Sequence, residues 1–399
     1  MKVGLLGNMN NNGFSTAQYL RDRGVDAEAL LFDGEPDHFH PSADCYDDSY
    51  TSFCRQLSWG NPAHWGRTSA DTIRRELESY DVIVGCGFAP AYCRRGGRSL
   101  DVFVPFGGDL YYCTRYRPTY PSRLVGTWRA VYGQRLAIPN CSIIHMDMTN
   151  SIYEDRWAEC RGASERWYHG IPNPYTGVYN PESVGRVAER TRWHSEFAKI
   201  RQRSDLLLFS HVRHVWGGTR VYPDLKGTDR LLRGVALFKK QNPSVRVSLV
   251  TFEYGTRVQE SKALVAELGL EDSVYWFPKT LRKDLMCGVL FADIICAEFE
   301  FSWLSSSVVY EAMAMAKPIL GFRTDGLYRE QHQTLYPIMN AREPGEICCR
   351  LEEYLRDPAR HRAMGVEGQR WYRDQLVTPT IEKYVRFIER RAYGNGAGQ

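Results

Sequence analysis

The sequence predicts an α/β protein made of two tandem Rossmann-like domains, and three observations carry that expectation. Its 399 residues exceed what a single core commonly supports. Short runs rich in Val, Ile and Leu alternate with longer segments of helical period, and this alternation occurs once in each half of the chain. The runs are continuously apolar rather than alternating, as expected of parallel strands covered by helices on both faces.

In chain order the strand-like runs of the first half are KVGLLG, AEALLF, DVIVGCG, DVFVPF and SIIHMDM, with helical patterns such as FSTAQYLRDRG and TSADTIRRELESY between them. Those of the second half are DLLLFSHV, VRVSLVTF, SVYWFP, DIICAEF and PILGF. Residues 34–66 keep neither period and read as a long ordered excursion. The turn-rich stretch IPNPYTGVYNPES marks the boundary. The expected domains are 1–173 and 205–375, with 174–204 as linker and 376–392 as a last helix; the tail YGNGAGQ carries no element.

Net charge is +4, which gives no reason to expect a nucleic-acid partner. Eleven cysteines are scattered without a Cys-x-x-Cys pair, several inside apolar runs, as buried reduced thiols are. The N-terminus turns polar after six residues, too soon for a signal peptide, and no apolar run approaches 18 residues. A cytoplasmic protein is expected, with peripheral membrane attachment left open.

Ligands of such folds bind beyond the carboxyl ends of strands, so the segments following strands are the candidates. After the first strand, Gly7 and Asn8 open GNMNNNGF, which reads either as a ligand-facing turn or as a tight strand-to-helix connection. In SHVRHVWGGTRVYPDLKGTDRLL, Arg213 follows a strand and Lys226 precedes a helix start. Two cations and a helix's positive end around one point would attract a diphosphate; the alternative is solvated surface cations. In WLSSSVVYEAMAMAKPILG, Ser305, Ser306 and Ser307 fall in a helix's first turn, where a serine caps the helix or meets a phosphate. Glu311 sits at the edge of that helix's buried stripe and needs a partner, which a pair of ribose hydroxyls would supply. His145 ends a strand beside Asp147, and Asp37, His38 and His40 have ligand-like spacing but no distant third partner.

Taken in order, these pieces resemble the C-terminal half of a GT-B glycosyltransferase of family 4, over Leu206 to Arg391. AELGLEDSVYWFPKTLRKDL and YLRDPARHRAMGVEGQRWYRDQ extend the match, and GLLGNMNNNG, VPFGGDL and WYHGIPNPYTGVYNP carry it more weakly into the first half. The resemblance implies two domains facing across a cleft, with the last helix, PTIEKYVRFIERR, crossing back to the first. It implies that Arg213 and Lys226 bind a donor diphosphate and stabilise its departure, that Glu311 holds the ribose, and that the amides of 305–307 meet the distal phosphate. The backbone around Phe277, Pro278 and Lys279 would edge the base, and the loop opened by Gly7 and Asn8 would lie beneath the donor sugar and the acceptor.

Two positions depart from the family pattern. Its usual carboxylate for the donor sugar, eight residues before Glu311, is Trp303 here, with Glu298 and Glu300 as nearby substitutes. Where many members have His-Gly-x-Asp this chain has Phe106, leaving Asp109 as the matching acid and, with His145, a catalytic candidate.

The implied activity is metal-independent, retaining transfer of a sugar from a nucleotide diphosphate, UDP or GDP, to a glycan, glycolipid or other hydroxyl acceptor. No cofactor beyond that co-substrate is expected. A nucleotide-sugar epimerase on the same fold and a non-catalytic glycan- or nucleotide-binding protein are the alternatives. Between Arg94 and Arg135 stand eight arginines and two aspartates, interleaved with Tyr111, Tyr112, Tyr116, Tyr120 and Trp128. Such a surface suits an anionic or lipid-linked acceptor, or a membrane face, and equally a solvated helix face.

Overall fold

The computed structural model describes residues 1–111, 113–114, 125–146, 158–160, 162–168, 170–217, 225–304, 306–330 and 332–394. They fall into two compact units, Met1–Tyr175 joined by the chain from Leu376 onward, and Thr176–Gln375.

The first unit is built on seven strands: β1 (Lys2–Leu6), β2 (Asp26–Leu31), β3 (Cys54–Gln56), β4 (Val82–Gly85), β5 (Val102–Phe103), β6 (Ile143–His145) and β7 (Glu165–Trp167). All pair in parallel, in the order β3-β2-β1-β4-β5-β6-β7. The second is built on six: β8 (Leu206–Phe209), β9 (Val247–Phe252), β10 (Val274–Phe277), β11 (Ile294–Cys296), β12 (Ile319–Gly321) and β13 (Met339–Asn340). They too are parallel, in the order β10-β9-β8-β11-β12-β13. Within each sheet the sequence of strands reverses beside the first one, between β1 and β4 and between β8 and β11. Such switch points leave a crevice outside the strands' carboxyl ends.

Each of the ten apolar runs contains a strand; nine lie inside their sheets, where a parallel strand is covered on both faces, and the tenth, β10, is an edge. All four residues of β8 and all six of β9 are buried. The strands absent from the expectation, β3, β7 and β13, are edges of their sheets. An edge strand needs only one apolar face or none, so CRQ, ERW and MN give no run to find. β3 lies inside the 34–66 excursion, whose remainder includes short 3₁₀ turns at Asp37–Phe39, Pro41–Ala43 and Pro62–Arg67.

The segment expected as linker carries two helices, Pro181–Val187 and His194–Arg203, and both belong to the second unit. Phe197 explains this: its ring is buried against Phe209 and Phe277, so an apolar position every turn sufficed to dock the helix. The last helix, Thr378–Gly394, returns to the first unit. There Tyr384 packs edge-on to Trp167 and hydrogen-bonds His145, and Arg391 pairs with Asp101.

Candidate functional site

In the second unit the chain leaving β8 at Phe209 runs through Ser210 and His211, and the chain leaving β11 runs through Glu298, so both enter the β8/β11 switch point. Glu311 comes from the helix Ser307–Ala314, which Ser306 caps by accepting a hydrogen bond from the Val309 amide. The Glu311 carboxylate is 5% exposed and lies between two partners. His211 Nε2 donates to Oε2 at 2.6 Å, and Arg282 Nε donates to Oε1 at 2.8 Å. Burial pushes this carboxyl up, but the His211 hydrogen bond and the Arg282 charge outweigh it, holding the group below its ordinary value. The partner that Glu311 needs is therefore supplied by protein. Each carboxylate oxygen keeps lone-pair capacity for a further donor.

Lys226 stands on the loop before the helix Thr228–Gln241. Its Nζ donates to Glu298 Oε2 at 2.8 Å and lies 5.6 Å over the Trp303 ring. Gly227 has φ +69°, and a Cβ there would come within 2.9 Å of the Glu300 amide nitrogen, so only glycine lets this loop press on the one after β11. The contact is sealed by the Phe299 amide donating to the Lys226 carbonyl. Glu300 is bound to Arg230 and Arg342, not to Lys226. Arg213 is exposed and its side chain has no partner among the described residues. Its carbonyl accepts from Thr228 Oγ1 at 3.4 Å, which sets the Arg213 and Lys226 segments side by side.

Three buried polar atoms on these loops have no hydrogen-bond partner among the described residues: Ser210 Oγ, His211 Nδ1 and Trp303 Nε1. Beyond β10, Phe277 turns its ring into a core shared with Phe197, Phe252 and Trp193, leaving Pro278 and Lys279 exposed. Phe197 and Trp193 cover the Phe277 ring, so what this segment leaves open is its backbone. Ser307 is exposed, and Ser305 lies outside the described residues.

The corresponding switch point of the first unit has a different chemistry. Gly7 has φ +81°, where a Cβ would meet Phe32 and Cys86, and Asn10 and Asn11 also have positive φ. Asn8 is buried; its side chain accepts from the Phe14 amide and donates to Asn11, and its own amide donates to Glu35 Oε1 at 2.6 Å. Leu6, Gly7, Gly13, Gly85, Cys86 and Tyr384 line a small cavity there.

Asp109 is fully buried, its oxygens accepting from the amides of Gly87, Phe106 and Leu110 at 2.9 to 3.0 Å. Burial pushes both carboxyls up to about 7, against the amides that bind them: Asp109 against these three, Glu35 against those of Asn8 and Phe32. His145 is buried, with Nδ1 2.8 Å from the Tyr384 hydroxyl; the neighbouring Asp147 lies outside the described residues. The structure thus places Asp109 and His145 as internal ties, one between the loops after β4 and β5, the other between β6 and the last helix.

Of the basic, aromatic stretch, Arg95 stacks on Trp65 and Arg98 bonds Asp101 and nearby carbonyls. On the helix Val125–Ala137, Trp128 and Tyr132 are exposed and stacked at 5.9 Å, with Arg129 and Arg135 exposed beside them. Tyr112, Tyr116 and Tyr120 lie outside the described residues. Among the described residues no group of three His, Cys, Asp or Glu side chains is placed to hold a metal ion, and His40 bonds Ser42. No described helix is long and apolar enough to cross a membrane.

His211 and Arg282 are the site residues that sequence reasoning missed. They lie 100 and 29 positions from Glu311, so no local pattern links them to it. The only signal was that a carboxylate bordering an apolar stripe requires a donor.

No family model and no curated protein matches this chain. Solved structures do match along nearly its whole length. Sucrose-phosphate synthase from Thermosynechococcus elongatus shares 12% identity over 99% of this chain and 100% of its own, with a TM-score of 0.61. Anabaena HepE in complex with UDP and glucose shares 14% over 98% and 99%, with a TM-score of 0.60. An α,α-trehalose-phosphate synthase from Burkholderia xenovorans in complex with glucose-6-phosphate shares 12% over 98% and 100%, with a TM-score of 0.58. With two parallel-sheet units of seven and six strands and a last helix that rejoins the first, the chain has the GT-B fold.

Proposed function

We propose that this protein is a glycosyltransferase that moves a sugar from a nucleotide diphosphate, UDP or GDP, to a hydroxyl of a glycan or lipid-linked acceptor, with retention and without metal. The observation that carries the reading is the charged Glu311 carboxylate, clamped by His211 and Arg282 at the β8/β11 switch point, into which the chain after β11 also brings Glu298 with Lys226 bound to it. A carboxylate held ionised at the mouth of a doubly wound sheet, with lone pairs to spare, suits two ribose hydroxyls. HepE bound to UDP and glucose supports a uridine donor.

Breaking the bond from the anomeric carbon to phosphate builds negative charge on the diphosphate. Lys226 uses one of its three protons on Glu298 and keeps two for phosphate oxygens, and Arg213 adds a free guanidinium. Lys226, fixed by Glu298 in a partly buried site, lowers the barrier to departure without having to reorganise. The Ser306 hydroxyl caps its helix as an acceptor and still has its own proton to give a phosphate. In the retaining route the acceptor hydroxyl attacks from the face the leaving group vacates, which asks for no protein nucleophile. Asp109 and His145 act as positioning residues, and the Gly7–Asn8 loop borders the acceptor side. The exposed Trp128 and Tyr132 pair, flanked by Arg129 and Arg135, supports a lipid-linked acceptor and peripheral membrane contact from the cytoplasmic side.

The test is a thermal-shift screen of UDP, GDP, ADP, CMP and their sugars, followed by donor turnover with and without acceptors. A uridine or guanosine diphosphate should raise the melting temperature. Lys226→Ala and Glu311→Ala should each lower turnover by about a hundredfold. Silence towards every nucleotide sinks the reading, and consumption of the donor without acceptor points to the epimerase.

A further inference from the structure

The residues on either side of Trp303 are tied to the segment from Thr324 to Tyr336. On one side the Ser302 hydroxyl accepts from the Thr324 amide at 2.8 Å, and the Ser302 carbonyl accepts from the Tyr328 hydroxyl at 2.8 Å. On the other side the Leu304 carbonyl accepts from the buried Tyr336 hydroxyl at 2.8 Å. The face of the ring is taken by the Lys226 ammonium, 5.6 Å from its centroid. The N–H lies in the ring plane and so projects sideways from the Lys226 direction. Nε1 is buried, yet it has no acceptor among the described residues. A buried indole N–H usually has one, and leaving it unmade costs free energy.

Indole donates and cannot accept, whereas a sugar hydroxyl can do both and a carboxylate or carbonyl oxygen only accepts. A fixed donor at this place rewards a group that has no proton of its own. A carboxylate side chain in the same position would do the reverse, rewarding hydroxyls and repelling an anion.

We infer that Trp303 is a specificity-determining residue whose indole N–H donates to a proton-less oxygen on the transferred sugar, selecting a uronate or N-acyl sugar over a plain hexose. The inference rests on the reading in which Lys226 holds the donor diphosphate. Glu311 then takes the ribose, and the group beside the ring stacked on Lys226 is the sugar.

The test measures binding of UDP, UDP-glucose, UDP-glucuronate and UDP-N-acetylglucosamine to the full-length protein and to its Trp303→Phe and Trp303→Glu variants. The wild type should bind UDP-glucuronate or UDP-N-acetylglucosamine about tenfold or more tighter than UDP-glucose, the worth of one hydrogen bond to a strong acceptor. Trp303→Phe should erase that preference while leaving UDP within twofold, which also shows that the variant folds. Trp303→Glu should turn the preference towards UDP-glucose and against UDP-glucuronate. An equal loss of UDP and all its sugars in Trp303→Phe would assign the N–H to phosphate and overturn the inference, as would an unchanged preference. No response of the wild type to UDP or any UDP sugar overturns this inference; the transferase reading falls with it only if GDP, ADP, CMP and their sugars are silent as well. UDP binding with a silent Trp303 removes this inference alone.

Discussion

The two switch points share a strand order but handle buried carboxylates in opposite ways. In the second unit Glu311 is ionised by side chains, His211 and Arg282, and sits below its ordinary pKa. In the first unit the partners of Asp109 and Glu35 among the described residues are backbone amides, and burial lifts both to about 7. Amides cannot move away without unfolding a loop, so those carboxylates staple the chain. Side-chain donors hold the Glu311 carboxylate ionised and leave it lone pairs, so the second switch point is the one that keeps a charged carboxylate with capacity for a further donor.

The sharpest way to break this contrast is to discharge the clamp. Arg282→Met strips one partner from a carboxylate that is 5% exposed, while His211 remains. Removing one member of a buried pair costs about 3 kcal/mol or more. For a unit of this size that lowers the melting temperature by roughly 6 to 12 °C, with a loss of nucleotide affinity. Calorimetry with and without UDP reads both effects. A variant as stable as the wild type would show that Glu311 does not depend on its clamp.

The pH dependence sharpens the same contrast. A carboxyl raised from its ordinary value to about 7 stays protonated when folded while the unfolded chain ionises, so stability is greatest at low pH and falls between about pH 4 and pH 7. Glu311, lowered when folded, acts with the opposite sign: its contribution is present above its ordinary value and is lost as pH falls below it. Asp109→Asn should therefore flatten part of the loss between pH 4 and 7, leaving the part due to Glu35. It should also cost about 1 to 3 kcal/mol at acid pH, because one amide then faces an NH₂ group. Urea unfolding at pH 4.5 and 7.5 measures both; an unaltered slope contradicts the staple.

The smallest expected effect lies at the last helix. His145→Phe removes the buried hydrogen bond to the Tyr384 hydroxyl, a loss of about 1 to 2 kcal/mol for that bond. Amide hydrogen exchange should speed up in Thr378–Gly394 and stay unchanged in β8 to β13. Equal acceleration in both places would mean that His145 acts on more than its own unit.

Particular elements show where the sequence was legible. VSLVTF and LLLF announce themselves because a central parallel strand is apolar on both faces. CRQ, ERW and MN do not, because edge strands take their place from a neighbour's hydrogen bonds. At the candidate site, Lys226, Gly227 and Glu311 were legible because each has a local sign: a cation at a helix start, a glycine before it, an acid bordering an apolar stripe. His211 and Arg282 had none, since what singles them out is the company they keep across the fold.

The sequence by itself determined the two α/β units and ten of their strands, because these follow from period, burial and turn chemistry within a few residues. Tertiary structure alone decided which cations reach which carboxylates, that Asp109 faces amides and Glu311 faces side chains, and that the Trp303 N–H, on a ring faced by Lys226, has no acceptor among the described residues. Those outcomes depend on distances between residues tens of positions apart, and on the balance of burial against partners that only a folded chain fixes.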